Sequence, residues 1–284
     1  MDFSSHSEMP SMCLRDTRRT TTFRDAIVRT VKPGDVVLDA GAGSGILAFF
    51  AARAGARKVY AVEVDAALCG RLRANAELNG LGSVVEVICA DVRDVTLPEP
   101  IDVVVAEMIE TWLLDELQLP ALNALRRSGV VGPHTAVIPG RYEAFIAFGS
   151  LPFDCYGFHM PFPIHDWPNL DEESGWHPFP FRWLSDLAKV FDADFNQLVD
   201  PRFEATVRFT PRATGVVNAV RLSGMAHLGH GVTLGETMAF NGNKLLPVAE
   251  VPVVAGRPVT FRVAGHRGGG GRVTVNLVDE EPTG

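Results

Sequence analysis

The sequence predicts an α/β domain with a parallel sheet, followed by a β-rich domain of the barrel or sandwich type. From Val36 to about Ile146, short β-branched runs alternate with helical patterns, which is the order of parallel strands joined by right-handed crossover helices. Beyond residue 204, short β-rich runs such as ATVRFTP and RVTVNLV are separated by turn residues. That second pattern indicates antiparallel strands.

Four strands and two helices account for the first pattern. The predicted strands, in chain order, are VVLDA, KVYAVEV, VVEVICA and IDVVVAE. The helical segments between them, ILAFFAARAG and DAALCGRLRANAELNG, end at Gly55 and Gly80, because glycine readily adopts the backbone conformation that closes a helix. In a sheet of this kind the ligand lies at the carboxyl ends of the strands.

We expect three units along the chain. A helical segment over residues 1–30 precedes a parallel-sheet domain over residues 31–145, and a β-barrel-like domain follows over residues 146–284. Within the last unit, residues 152–181 are crowded with proline and aromatic residues, a composition that predicts an irregular excursion. This excursion can serve as a linker, as a lid over a substrate or as a contact arm in a dimer.

Composition limits the classes of partner. The chain has 284 residues, a formal net charge of -8 and a pI near 5.5, which argues against nucleic-acid binding and suits a cationic substrate. No apolar stretch is long enough for a membrane span, and the N-terminus has no secretory pattern. We therefore expect a cytoplasmic protein with no nucleic-acid or membrane partner.

No metal site is predicted from the cysteines and histidines. The four cysteines lie far apart and form no CxxC pair, so neither a zinc site nor a disulfide framework is indicated. His227 and His230 have a spacing that could serve a metal, but no cluster of acids or cysteines accompanies them.

The motif LDAGAGSG places Gly41, Gly43 and Gly45 between the first strand and the first helix. Glycines in such a turn let the backbone approach a ligand closely, while the helix amides point at its polar groups. Tight packing of strand against helix would also explain the motif. Taken alone, the turn leaves both interpretations open.

Acidic residues at the ends of the next two strands favour a cofactor that carries adenosine. Glu63 closes the second strand, where a carboxylate can accept both ribose hydroxyls. Asp91 follows the third strand, where a carboxylate can take the adenine amino group beside the backbone amide of Val92. The three features occur at three successive strand ends, and together they predict a nucleoside pocket.

Two cofactor classes compete for this pocket. A nicotinamide dehydrogenase favours GxGxxG, whereas here the third glycine comes one residue early and Asp39 precedes the turn. That carboxylate would repel a pyrophosphate but tolerate an ammonium or a sulfonium group. S-adenosyl-L-methionine, which has no phosphate, fits better. The stretch resembles motif I of the class I methyltransferases, which implies a Rossmann-like methyltransferase domain.

The stretch AEMIETWLLDE, residues 106–116, places four carboxylates after the fourth strand. One interpretation is the start of a helix, where acids complement the helix dipole. In one straight helix, Glu107 and Glu116 would lie on opposite faces and could not share a ligand. If the chain instead turns back through residues 108–111, both carboxylates can face the strand ends.

Two glutamates separated by eight residues after the fourth strand resemble the double-E loop of the protein arginine methyltransferases, and Glu107 and Glu116 match that spacing. The segment MCLRDTRRTTTFRDAI resembles the helix that covers the cofactor in this family, in which Arg19 would meet the methionine carboxylate. The resemblance covers residues 11–150 well. It implies a methyltransferase that uses S-adenosyl-L-methionine, has Glu107 and Glu116 as catalytic residues and forms a homodimer.

Methyl transfer to a guanidino nitrogen needs such a pair of acids. A guanidinium is protonated at physiological pH and is a poor nucleophile, because its lone pairs are delocalised. Two carboxylates can bind its planar fork, orient one nitrogen and draw the positive charge to the others. Two buried acids also repel each other, so at least one should take up a proton when no cation is bound.

Several positions depart from the family pattern. The family's barrel domain carries a Thr-His-Trp loop, whereas the corresponding region here reads NGNKLLPVAEVPV, with Lys244 to Leu246 about where the loop should lie. Glu110 occupies a position that is glycine in the family, and Arg93 stands where the family often has glutamate. These departures weaken the case for a peptide substrate.

The favoured substrate is therefore free L-arginine or a related small guanidine, as in the bacterial branch that methylates free arginine for natural-product pathways. Glu110 can meet the ammonium of such a substrate and Arg141 its carboxylate, with Met108 as a further substrate contact. An arginine-containing peptide stays an alternative. So do methylation of another amine or hydroxyl, with the acids as a general base, and a degenerate fold that only binds a partner.

Overall fold

The computed structural model describes residues 8–166 and 179–278. It begins with two helices, α1 (Glu8–Arg15) and α2 (Thr17–Thr30). Asp16 separates the helices and caps α2, because its carboxylate accepts a hydrogen bond from the backbone N–H of Arg19 at 3.0 Å. The described part of the predicted N-terminal unit is helical except at Asp16.

A five-stranded parallel sheet with helices forms the first domain. Its elements are β1 (Val36–Ala40), α3 (Ile46–Arg53), β2 (Lys58–Glu63), α4 (Ala66–Leu78), β3 (Val85–Cys89), β4 (Val103–Ala106), α5 (Gln118–Arg127) and β5 (Ala136–Ile138). The strand order is β3-β2-β1-β4-β5. Every residue of β1 and β4 is buried, as expected for central parallel strands covered on both faces.

The strand order reverses at β1, which pairs with β2 on one side and with β4 on the other. A crevice opens at such a switch point, outside the carboxyl ends of the strands. Gly41 follows β1 and Glu107 follows β4, and Ala40 pairs with Ala106 in the register of the two strands. The glycine turn and the acidic stretch therefore begin side by side.

The second domain consists of antiparallel strands. They are β6 (Arg141–Ser150), β7 (Asp154–Cys155), β8 (Phe158–His159), β9 (Ile164–Asp166), β10 (Arg182–Trp183), β11 (Ala188–Asp194), β12 (Arg202–Phe209), β13 (Gly215–Gly229), β14 (Val232–Leu234), β15 (Asn243–Val253), β16 (Val259–His266) and β17 (Arg272–Leu277). A sheet in the order β10-β6-β13-β15-β9 also holds β11 and β14, and β12-β16-β17 form a second sheet. Phe148 of the first sheet stacks on Phe209 and Phe261 of the second, with ring centroids 4.8 and 4.6 Å apart.

The two domains follow each other without a long linker. The predicted boundary between residues 145 and 146 falls inside β6, which starts soon after β5 ends. Of the predicted excursion, residues 152–166 contain β7, β8 and β9, whereas residues 167–178 lie outside the described residues. No helix in the described parts of the chain is both long enough and apolar enough to cross a membrane.

Candidate active site

The glycine turn after β1 lies directly on the end of β2. Gly41, Gly43 and Gly45 have φ angles of 76°, 52° and 84°, a region that residues with a side chain rarely adopt. The N–H groups of Gly41 and Ala42 donate to the carbonyl of Val62 at 3.0 and 2.9 Å. Gly45 is the N-cap residue of α3, which begins at Ile46. The turn is therefore a tight backbone loop.

Glu63, the last residue of β2, is held by backbone amides. One carboxylate oxygen accepts from the N–H of Gly43 at 2.8 Å. The other accepts from the N–H groups of Val64 and Asp65 at 2.8 and 2.9 Å. These bonds fix the acid at the strand end and join it to the glycine turn. A contact between Glu63 and a ribose stays a prediction.

Asp91 caps the short 3₁₀ turn that follows β3. The side chain of Arg93 lies 2.5 Å from its carboxylate, and the backbone N–H of Arg93 donates to it at 2.9 Å. These hydrogen bonds lower the pKa of Asp91, so the carboxylate stays ionised. Val92 is buried. The adenine contact expected of Asp91 and Val92 stays a prediction.

Asp39 lies in β1, just ahead of the glycine turn, and is buried. Burial raises the pKa of Asp39 to about 7, although a backbone hydrogen bond from Ala48 and the charge of Arg19 act in the opposite direction. Within the described residues, its Oδ2 atom has no hydrogen-bond partner. A buried carboxylate of this kind is stabilised by a nearby cation.

After β4 the chain turns back instead of continuing as a helix. Trp112 and Leu113 have φ angles of 64° and 60°, and α5 begins only at Gln118. The side-chain oxygen of Gln118 accepts from the N–H of Met108 at 3.0 Å and closes the loop. We call residues 107–118 the acidic loop.

Contacts with the second domain hold the acidic loop in this conformation. The N–H of Trp112 donates to the hydroxyl of Tyr142 at 2.9 Å, and the carbonyl of Leu113 accepts from the N–H of Gly268 at 2.7 Å. The Trp112 side chain is fully buried. A non-glycine residue with positive φ costs about 1 kcal/mol or more, so these contacts are needed to stabilise the turn.

A cavity of about 420 Å³ lies between the glycine turn and the acidic loop. The predicted site residues that line it are Arg19, Gly41, Gly43, Glu107, Met108 and Glu116. Met9 and Pro10 of α1 line it as well, as does Ala239 from the second domain. The structure therefore brings both glutamates, the glycine turn and the predicted cofactor arginine to one pocket.

Arg19 forms an ion pair with Glu107, and both side chains are buried. Burial lowers the pKa of the Arg19 guanidinium, and the charges around it, including those of Asp39 and Glu116, oppose that shift. Its Nε and Nη1 atoms have no hydrogen-bond partner among the described residues. The guanidinium therefore has donors to offer to a ligand carboxylate.

Glu116 lies in the same pocket, and burial raises its pKa to about 7. The charges of Glu110 and Asp115 raise this pKa as well, whereas those of Arg19 and Lys244 lower it. A carboxylate with this pKa is partly protonated at neutral pH. The expectation that one of the two acids takes up a proton in the absence of a cation agrees with this value.

Two predicted substrate contacts lie outside this pocket. Arg141 does not line the pocket, because it lies on β6, where its guanidinium hydrogen-bonds to Asp192 and Glu143. Glu110 does not line it either. The Glu110 carboxylate forms an ion pair with Lys244 and accepts a hydrogen bond from the N–H of Asp115 at 3.1 Å. These contacts stabilise the acidic loop.

Sequence reasoning missed the contribution of the second domain to the pocket. Among the described residues, Ala239 lines the pocket from that domain, earlier in the chain than Lys244 to Leu246, where the family's loop was expected. Asp16 links the N-terminal helices to the second domain, because its carboxylate accepts from the N–H of Ala239 at 2.9 Å as well as capping α2. A capping aspartate ahead of a helix was readable from the sequence, but its distant partner was not.

Within residues 8–166 and 179–278, no group of three or more His, Cys, Asp or Glu side chains is arranged to hold a metal ion. The Nε2 atom of His227 lies 2.7 Å from a carboxylate oxygen of Glu143. His227 therefore has a partner within the second domain.

Comparison with known proteins identifies methyltransferase relatives. A family model described as the TRM5/TYW2 methyltransferase domain matches residues 17–143. Protein arginine N-methyltransferase 6 of Danio rerio is 37% identical over 148 residues, which are 51% of this chain and 41% of that protein. The arginine N(omega)-methyltransferase of Streptomyces achromogenes subsp. streptozoticus is 29% identical over 247 residues, 78% of this chain and 64% of that protein. The chain thus spans less than two thirds of the length of either relative.

Solved structures share the whole architecture. The Trypanosoma brucei PRMT1 enzyme-prozyme heterotetrameric complex with AdoHcy superposes with a TM-score of 0.79 at 22% identity, over 98% of this chain and 95% of that one. A crystal structure of PRMT6 gives a TM-score of 0.73 at 17% identity, over 94% and 98%. These likenesses confirm the predicted fold class, a Rossmann-like domain followed by a strand-rich, barrel-like domain.

Proposed function

We propose that the chain is a class I methyltransferase that uses S-adenosyl-L-methionine, like the protein arginine methyltransferases that it resembles, and that it transfers a methyl group to a guanidino nitrogen. The observation that carries this proposal is the position of Glu107 and Glu116, which line one pocket together with the glycine turn. A methyl donor and a cationic acceptor require such an arrangement.

The residues of the pocket fit the cofactor. Arg19 has two buried nitrogen atoms, Nε and Nη1, without a protein partner among the described residues, and their N–H groups suit the carboxylate of a methionine moiety. Asp39 does not line the pocket but precedes Gly41 by two residues. It is a buried acid whose Oδ2 atom has no partner among the described residues, and it suits a nearby positive charge. Gly43 has a positive φ, and a Cβ added there would have no heavy atom closer than 3.9 Å, so a ligand can lie against its backbone.

S-adenosyl-L-methionine supplies an electrophilic methyl carbon attached to a sulfonium. The task of the chain is then to bind and orient a guanidinium beside it. Glu107 and Glu116 can each accept hydrogen bonds from the planar guanidinium fork, which turns the remaining nitrogen towards the donor. The guanidinium also supplies the positive charge that keeps Glu116 ionised, because an adjacent cation lowers the pKa of a buried acid.

We favour free L-arginine or another small guanidine over a peptide as the acceptor. The Streptomyces relative, which is named an arginine N(omega)-methyltransferase, aligns over 78% of this chain, and this supports arginine itself. Since Arg141 and Glu110 have ion-pair partners outside the pocket, we expect other groups to bind the α-carboxylate and α-ammonium of arginine. An arginine-containing peptide is the alternative.

Mass spectrometry tests the proposal. The protein is incubated with S-adenosyl-L-methionine and, separately, with L-arginine and with an arginine-rich peptide. We expect a product heavier by one methyl group from arginine, and the fragmentation pattern should locate it on the guanidino group. Methylation of the peptide alone would reverse the preference for a small guanidine. Absence of a methylated product from both would refute guanidine methylation.

A further inference from the structure

Lys244 lies where the acidic loop meets the second domain. Its ammonium forms ion pairs with the carboxylates of Glu110 and Asp115, the latter at 2.5 Å. Only 8% of the Lys244 side chain and 15% of the Glu110 side chain are exposed, so water screens this pair little, whereas the Asp115 side chain is 52% exposed. Lys244 is in β15, which pairs with β13 on one side and β9 on the other. The ammonium of Lys244, a residue of the second-domain sheet, therefore contacts the acidic loop from outside the pocket.

The two carboxylates belong to opposite arms of the turn. Glu110 precedes the residues with positive φ, Trp112 and Leu113, and Asp115 follows them. Glu110 also accepts a hydrogen bond from the N–H of Asp115 at 3.1 Å, so the two arms are already in contact. Lys244 joins the same two arms through their side chains. Glu116 directly follows Asp115 in the chain.

Lys244 also balances the charge around Glu116. The charged and titratable groups that face Glu116 or its immediate neighbours are Cys13, Arg19, Glu107, Glu110, Asp115, His165 and Lys244. Glu110 and Asp115 raise the pKa of Glu116, and Lys244 lowers it. Arg19, the other cation that lowers this pKa, is ion-paired with Glu107.

We propose that Lys244 is a positioning residue for methyl transfer, which fixes both arms of the acidic loop and neutralises the two acids that flank Glu116, so that Glu116 can bind a guanidinium at neutral pH. The kinetic part of this inference rests on the proposed function. Lys244 acts through its two ion-pair partners, because it does not line the pocket that contains Glu116, whereas Asp115 does.

The variant Lys244→Met tests the proposal through the pH dependence of activity. Without the cation, Glu110 and Asp115 repel the ionised form of Glu116, and its pKa rises further above its present value of about 7. We expect the acidic limb of the kcat/KM profile to move upward by about one pH unit, with most of the lost activity regained at high pH. Lys244→Arg keeps the positive charge, so its kcat/KM profile should have the acidic limb at the pH of the unmodified protein.

Lys189→Met is the matched control. Lys189 also lies between two carboxylates, since its ammonium is 3.2 Å from Glu143 and 3.6 Å from Asp192. It is in β11 and does not line the pocket. We expect this variant to keep the pH profile of the unmodified protein. A loss of activity in Lys244→Met that is equal at every pH would overturn the charge-balancing role.

A measurement without substrate separates this inference from the proposed function. The titration of Glu116 can be followed by NMR in protein labelled with carbon-13 at the glutamate δ-carbons, and Glu116→Gln assigns the signal. A higher pKa of Glu116 in Lys244→Met, with an unchanged pKa in Lys244→Arg and Lys189→Met, supports the inference even if no guanidine is methylated. An unchanged titration of Glu116 in Lys244→Met would refute it, whatever the activity.

Discussion

Arg19 and Glu107 form an ion pair inside the pocket, where their side chains are only 6% and 7% exposed. The pair joins the group expected to bind the cofactor carboxylate to a group expected to bind the acceptor. A ligand carboxylate that draws the Arg19 guanidinium towards itself would release Glu107 for the guanidinium of the acceptor. The two binding events are therefore expected to favour each other.

Arg19→Ala should weaken the binding of S-adenosylhomocysteine by about 100-fold or more. The substitution removes the partner of a ligand carboxylate and leaves Glu107 as a buried, uncompensated charge. Isothermal titration calorimetry measures the affinity. Arg18→Ala is the control, because Arg18 is the adjacent residue and is exposed. Equal affinities in the two variants would contradict the role given to Arg19.

Glu116→Gln should lower kcat for guanidine methylation by about 10²–10³-fold, with the affinity for S-adenosylhomocysteine nearly unchanged. The amide has the shape of the acid but carries no charge for the guanidinium. Glu77→Gln serves as the control, since Glu77 is exposed on α4. If Glu116→Gln lowered the affinity for S-adenosylhomocysteine and kcat to the same extent, Glu116 would not be a specific contact of the acceptor.

Asp39→Asn should stabilise the protein above pH 7. The pKa of Asp39 is about 7 in the folded protein, against an ordinary value of 3.8 for an aspartate in water, so the folded protein binds the extra proton between these values. The contribution of Asp39 to the free energy of unfolding therefore falls as the pH rises from about 4 to 7. The variant should unfold about 2–4 °C higher at pH 8 and show a smaller gain at pH 5.

Thermal unfolding at both pH values measures this difference. The same variant should bind S-adenosyl-L-methionine more weakly, because it lacks the negative charge. Equal gains in melting temperature at pH 5 and pH 8 would mean that Asp39 is not ionised in the folded protein at pH 8.

Two glycines of the turn should respond differently to alanine. At Gly45 an added Cβ would lie 2.7 Å from the Leu72 side chain, whereas at Gly43 the nearest atom is 3.9 Å away. Gly45→Ala should therefore destabilise the fold by clearly more than the roughly 1 kcal/mol that a positive φ costs. Gly43→Ala should cost about that amount and mainly reduce cofactor affinity.

Gly80→Ala is the control for both glycine variants. Gly80 has a φ of 69° and no neighbour within 4 Å of an added Cβ, and it lies at the end of α4, away from the turn. The Gly80→Ala variant should lose only the free energy of unfolding that the positive φ costs, and its cofactor affinity should be unchanged. Thermal unfolding and calorimetry give the two readouts, and a Gly43→Ala variant indistinguishable from Gly80→Ala would remove Gly43 from the cofactor site.

The parallel sheet could be predicted well because its strands are continuous buried runs. The predicted VVLDA coincides with β1 (Val36–Ala40), and the predicted KVYAVEV contains β2 (Lys58–Glu63). Local periodicity and glycine positions are sufficient for such elements. The spacing of Glu107 and Glu116 could also be read from the sequence. The turn between them could not, because nothing in the side chains of Trp112 and Leu113 requires the positive φ angles that the structure shows.

Contacts across long stretches of chain could not be predicted. Arg141 was expected to face a substrate, but the pairing of β6 with β11 places Asp192 beside it, 51 positions later. The bond between Asp16 and Ala239 joins residues 223 positions apart. A single sequence shows which residue types could pair, but tertiary packing decides which of them do.

The bond from Ala239 to Asp16 has a consequence for how the protein is made. The parallel sheet and the glycine turn are complete in the first half of the chain, but one wall of the pocket comes from a residue synthesised much later. A ribosome-bound chain that ends before β14 can form the central sheet, yet its N-terminal helices lack their anchor on the second domain. The binding of a methyl donor should therefore become possible only after the segment that contains Ala239 has been synthesised.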